Sequence, residues 1–78
     1  MKKRKLIEVE WHDSASLHRW RQPDEHQREA KTVNCVSVGW ETKRTSDSIT
    51  LTQTVSEDNE LLDSISIPRG CIRRVKRV

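Results

Sequence analysis

Apolar residues recur at every second position in several stretches of this chain, the spacing of strands with one face buried. Ile7, Val9 and Trp11 alternate with Glu8, Glu10 and His12, which predicts a first strand with a carboxylate-bearing outer face. The alternation stops at Asp13 and does not resume until about Thr32. Within that polar stretch, Asp13 or Ser14 is placed to cap a turn packing Leu17 and Trp20 on one side, and Pro23-Asp24-Glu25 has the make-up of a short helix start. One or two short helical turns inside a long first loop are expected.

Between Val33 and Trp40 the parity is mixed: Val33 and Cys35 fall on one side, Val36, Val38 and Trp40 on the other. A strand here is predicted to change face near Cys35 and Val36 through a bulge or a sharp bend. Gly39 inside this run implies close approach by a neighbouring backbone or ring, with the Trp40 or Trp11 indole as candidates. Polar Lys43-Arg44-Thr45-Ser46-Asp47 reads as a hairpin turn, and Ile49, Leu51 and Val55 then alternate with threonines. A second turn at Ser56 to Asn59 leads to Leu61, Ile65 and Ile67, with Ser64 and Ser66 facing out; Pro68 ends that strand. Pro68 to Cys71 is predicted to form one helical turn, after which Ile72 and Val75 re-enter the core.

The order is strand, long loop, three strands in hairpin succession, one helical turn and a last strand. It resembles the SH3-like and Sm-like barrels. The expected fold is therefore mainly β: a small five-stranded barrel, closed on itself, with the two chain ends side by side. Residues 1–5 would form a basic tail and residues 6–78 the single barrel domain. The segments Val36-Ser37-Val38-Gly39-Trp40, Ser48-Ile49-Thr50-Leu51 and Ile67-Pro68-Arg69-Gly70-Cys71-Ile72, with Val9-Glu10-Trp11 ahead of the Trp20 loop, are also similar to a group of small, mostly uncharacterised bacteriophage and prophage proteins. That resemblance runs from about Leu6 to Val78. It implies a phage-encoded protein acting in the host cytoplasm and supplies no catalytic residue.

Composition limits how much such a barrel can bury. Apolar residues make up 32% of the 78 positions and there is no Phe or Tyr, so branched aliphatics and three tryptophans must supply the core. A domain of this size is stable by about 5 kcal/mol or less. Two cysteines, Cys35 and Cys71, lie in or beside apolar strand patterns and read as small core residues in a reducing cytosol. No apolar run is long enough to cross a bilayer.

Charge points to partners. The net charge is +3, but Lys2, Lys3, Arg4 and Lys5 open the chain, an acidic stretch at 57–63 interrupts it, and Arg73, Arg74, Lys76 and Arg77 close it. If the first and last strands pair, the two basic ends meet and offer phosphate contacts to RNA or DNA. The plainer reading pairs Arg74 and Lys76 with Glu8 and Glu10 across the strands. Trp11 and Trp40 are in phase with core residues and expected to be buried. Trp20, between Arg19 and Arg21, is a candidate stacking platform; the competing expectation seats it beside Leu17 over the open end of the barrel.

Other chemistries find no support. His12, His18 and His26 with the two cysteines lack the tight spacing of a zinc site, so no metal is expected. His12-Asp13-Ser14 holds triad letters in consecutive positions, where side chains diverge. With only Gly39 and Gly70 no glycine-rich phosphate loop exists, and neither enzyme nor cofactor is expected. The leading expectation is a non-enzymatic module binding nucleic acid through Lys3, Arg4, Lys5, Arg19, Trp20, Arg21, Arg73, Arg74, Lys76 and Arg77. The alternative is a protein-interaction or assembly module, either a homo-oligomer or a binder of a host or phage protein. A minor third reading has the acidic 57–63 loop imitating nucleic acid.

Overall fold

A computed structural model describes residues 3–78; Met1 and Lys2, the first part of the expected basic tail, lie outside them. Five strands form: β1 (Leu6–Asp13), β2 (Val33–Arg44), β3 (Ser48–Val55), β4 (Leu61–Pro68) and β5 (Ile72–Arg77). One helix, α1 (Pro23–Glu29), lies in the first loop, and a 3-10 turn, Arg69–Cys71, precedes β5. The mainly β composition, the long loop and the turn before the last strand match the sequence expectation. All five strands join one antiparallel sheet in the order β4-β3-β2-β1-β5.

The sheet is not closed into a barrel. β4 and β5 are its two edges, and neither pairs with the other. The cause lies in β2, which pairs with β1 from Val33 to Trp40 but with β3 only from Trp40 to Arg44. Past the Trp40–Thr52 pair β3 no longer pairs with β2, and β4 and β5 remain unpaired edges. A radius of gyration of 16.3 Å and extents of 55 × 21 × 21 Å reflect this; a compact chain of this length would have a radius of roughly 11–12 Å.

What core exists sits where β3 crosses β1 and β2. Ile7, Val9, Ile49, Leu51 and Ile67 are buried, and Trp11, Cys71, Ile72 and Val75 pack partly against them. The register explains which residues of β2 face this cluster. Ile7 opposes Gly39, Val9 opposes Ser37 and Trp11 opposes Cys35, so the inward side of β2 carries small residues. The Trp11 indole N–H donates to Ser37 Oγ at 3.0 Å, lying over them. A Cβ on Gly39 would stand 3.1 Å from the Thr52 carbonyl oxygen and 3.2 Å from Leu51 Cβ. Gly39 thus permits the close approach that was expected, but the approaching group is the β3 backbone and not an indole.

Two further expectations are corrected by the same register. No bulge occurs near Cys35 and Val36; pairing with β1 runs unbroken from Val33 to Trp40, and the irregularity falls between Glu41 and Lys43. Val36, Val38 and Trp40 therefore lie on the outer side with Glu8 and Glu10. Val36 and Val38 are exposed and Trp40 is half-buried rather than buried. Small residues at Cys35, Ser37 and Gly39 win the inner face because Trp11 and β3 need the space. On the outer side of the hairpin, Thr52 is buried by hydroxyl contacts of 2.8 Å to both Thr42 and Ser64, and Thr50 meets Ser66 at 2.8 Å.

The first loop folds little. Pro23 at the first helical position and Asp24 and Glu25 in the first turn start α1, yet none of its residues is buried. No helical turn forms over Asp13 to Leu17. The β3–β4 turn is better made: Asn59 adopts φ 67°, its N–H donates to the Ser56 carbonyl at 2.9 Å, and the Glu60 N–H donates to Ser56 Oγ at 2.9 Å. Asn is among the few residues that take this left-handed conformation readily.

Candidate nucleic-acid interface

β1 pairs with β5 over Ile7–Arg77, Glu8–Lys76, Val9–Val75, Glu10–Arg74 and Trp11–Ile72, and the Val78 N–H donates to the Leu6 carbonyl at 3.0 Å. The basic end of the chain is thereby laid against the segment that follows the basic start. Lys3, Arg4, Lys5 and Arg77 line one open hollow of about 380 Å³, together with Glu41 and Thr42. The Glu41 N–H, donating to the Lys5 carbonyl at 2.8 Å, fixes that wall.

Charge in the hollow is strongly one-sided. Its single carboxylate, Glu41, accepts from Arg44 Nη2 at 2.6 Å and Nε at 3.0 Å, so it is already neutralised. Arg4 Nη1 donates to Asn59 Oδ1 at 2.8 Å, which ties the N-terminal segment to the β3–β4 turn. Among the described residues Lys3, Lys5 and Arg77 have no carboxylate partner. Three ammonium or guanidinium groups around an open concavity form a locus of positive potential suited to phosphate.

The four cations of β5 do not share one surface. Arg77, opposite Ile7, lies on the core side of the sheet, whereas Arg74 and Lys76 lie on the other side facing Glu10 and Glu8. Lys76 Nζ stands 3.5 Å from Glu8 Oε2, so the cross-strand pairing foreseen as the plainer reading holds for this residue. Arg74 has no ion pair among the described residues, although Glu10 is its register partner. The register shifts between Glu10 and Trp11, and Arg73 lines a separate hollow of about 220 Å³ with Glu10, Trp11, His12, Asn34, Cys35 and Val36. His12 Nε2 is buried beside it without a hydrogen-bond partner.

Trp20 is fully exposed, at 102% of its reference area, and does not cap the sheet beside Leu17. Of its neighbours, Arg19 is exposed, but Arg21 is not free: its guanidinium pairs with Glu29 and donates to the Arg19 carbonyl at 3.0 Å. This group belongs to the loop leaving the Asp13 end of β1, while the hollow lies at the Leu6 end. The ten candidate residues are thus divided among a terminal hollow, an edge strand and a loop.

Sequence reasoning missed Thr42 and Asn59, which complete and brace the hollow. Thr42 sits at the irregularity between Glu41 and Lys43, which no local pattern signals, and Asn59 was legible only as a turn residue. Both cysteines are free and half-buried, and no group of three or more potential metal ligands occurs among the described residues. No helix among them is long and apolar enough to cross a membrane. Compared with known protein families, with curated proteins and with solved structures, the chain matches none.

Proposed function

We propose that the protein is a non-enzymatic nucleic-acid-binding module that grips the phosphate backbone at the Lys3–Lys5–Arg77 hollow and along the outer side of β5. The observation that carries this reading is the convergence of Lys3, Arg4, Lys5 and Arg77 on one concavity whose only acid is already paired. Phosphate contacts of this kind position a polynucleotide without reading its sequence. Trp20, open to solvent on its loop, adds a face on which a base can stack. The strand order and the 3-10 turn before β5 support relating the sheet to SH3-like folds with the seam between the β4 and β5 edges left open. A phage origin and a host-cytoplasmic setting form part of the same proposal and rest on the sequence segments alone.

Fluorescence anisotropy with labelled single-stranded and duplex RNA and DNA tests the reading. With about four phosphate contacts, affinity is expected to fall about 50- to 150-fold between about 50 and about 200 mM salt. Exchanging Lys3, Lys5 and Arg77 for Gln leaves Arg4 in the hollow and is expected to cut that fall to about threefold while leaving the circular dichroism spectrum unchanged. Absence of binding to every probe at low salt would rule the reading out.

A further inference from the structure

We propose that a second copy of this chain adds across the open seam, the acidic β4 edge of one copy pairing with the basic β5 edge of the next. Both strands end the sheet, so each presents backbone donors and acceptors with no partner strand. Their core-side apolar residues are also incompletely covered. Leu61 and Ile65 on β4 are 46% and 41% exposed, and Ile72 and Val75 on β5 are half-buried. A strand added at either edge supplies the missing ladder bonds and covers Ile65 on β4 or Ile72 and Val75 on β5.

Charge selects the partner. Glu57, Asp58, Glu60 and Asp63 lie on β4 or in the turn before it, whereas β5 carries Arg73, Arg74, Lys76 and Arg77. Pairing β4 with β4, or β5 with β5, sets like charges together; β4 with β5 sets opposite charges together. The contact is therefore head-to-tail. Each added copy leaves one edge of each kind open, so association continues to a ring or a filament.

The length of usable edge limits its strength. Asp63 has φ 60°, which interrupts the extended run, and Pro68 has no N–H, so the regular edge of β4 is Ser64 to Ile67. An edge of four residues predicts association that depends on concentration and weakens with salt. The inference does not rest on nucleic-acid binding, and its test is run without nucleic acid.

Sedimentation velocity from about 1 µM upward at low salt is expected to show mass rising above the 9.2 kDa of one chain and returning to it at high salt. The decisive arm uses two variants, each checked for native circular dichroism. E60K/D63N removes acid from the β4 edge, with Asn chosen because it tolerates the φ at 63. R73E/R77E removes charge from the β5 edge and leaves untouched the two cations that face Glu8 and Glu10. Each alone is expected to stay monomeric. Mixed in equal amounts, they retain one intact acidic edge and one intact basic edge, so they form a heterodimer that stops at twice the chain mass. Wild-type protein that remains monomeric up to hundreds of micromolar, variants that still self-associate, or a mixture that does not pair would each overturn the proposal.

Discussion

The corner where β3 crosses β1 and β2 and the loop from Ser14 to Thr32 are opposite in physical character. At the corner Val9, Ile49 and Ile67 have no exposed area, and even the outer hydroxyl of Thr52 is enclosed. In the loop only Arg21 and Glu25 are even half-buried, and Trp20 is wholly open. The difference follows from composition. Leu17 and Trp20 are the loop's only large apolar side chains, too little burial to offset the entropy of ordering nineteen residues. Stability resides at the corner, and the loop is available for contacts that do not depend on it.

The largest break in that contrast comes from the corner's centre. Ile49 pairs with Ile67 across β3 and β4, and both are buried. Truncating Ile49→Ala removes buried methylenes and leaves a cavity, at a cost of about 2–5 kcal/mol. For a domain stable by about 5 kcal/mol or less, that is most of the total. Urea titration followed by circular dichroism is expected to show the variant largely unfolded in buffer. A midpoint close to wild type would place the core elsewhere.

A smaller effect is expected at Gly39, where the constraint is space and not burial. The Cβ of Gly39→Ala meets the Thr52 carbonyl oxygen at 3.1 Å, a backbone atom held by its pairing with Trp40, so the crossing must open. The cost is about 1–3 kcal/mol, seen as a lower thermal midpoint with a cooperative transition retained. A neutral outcome would mean that β3 crosses more loosely than the geometry shows.

Gly39 also marks how far the sequence was legible. Alternation located β1, β3, β4 and β5, and a glycine within a strand correctly signalled close approach. The inner face of β2 was misassigned because apolarity was followed: Val36, Val38 and Trp40 form the more hydrophobic parity, yet they face out. Side-chain size decided that strand, since the Trp11 ring and the crossing β3 required Cys35, Ser37 and Gly39 beneath them. Closure of the sheet was unreadable for a related reason. Whether the β3–β4 hairpin stays with β2 beyond Trp40 depends on how the corner packs, which no local pattern encodes. The basic hollow was half legible, because pairing of first and last strands followed from fold order, while the distribution of β5 cations over two sides required the register.

Least perturbing to stability should be the loop's own tryptophan. Trp20 contributes no buried area, so Trp20→Ala is expected to change unfolding free energy by no more than about 0.5 kcal/mol. The same change is expected to remove the part of the intrinsic fluorescence that acrylamide quenches most readily, since Trp11 is held by Ser37 and Trp40 is half-buried. Stacking of one base on an exposed ring is worth about 1–3 kcal/mol, so affinity for single strands should drop about 5- to 150-fold if the loop takes part in binding. A fall in affinity with no loss of stability separates the loop from the corner as an energetically independent contact surface. A destabilised W20A protein would instead tie the loop to the sheet and erase the distinction.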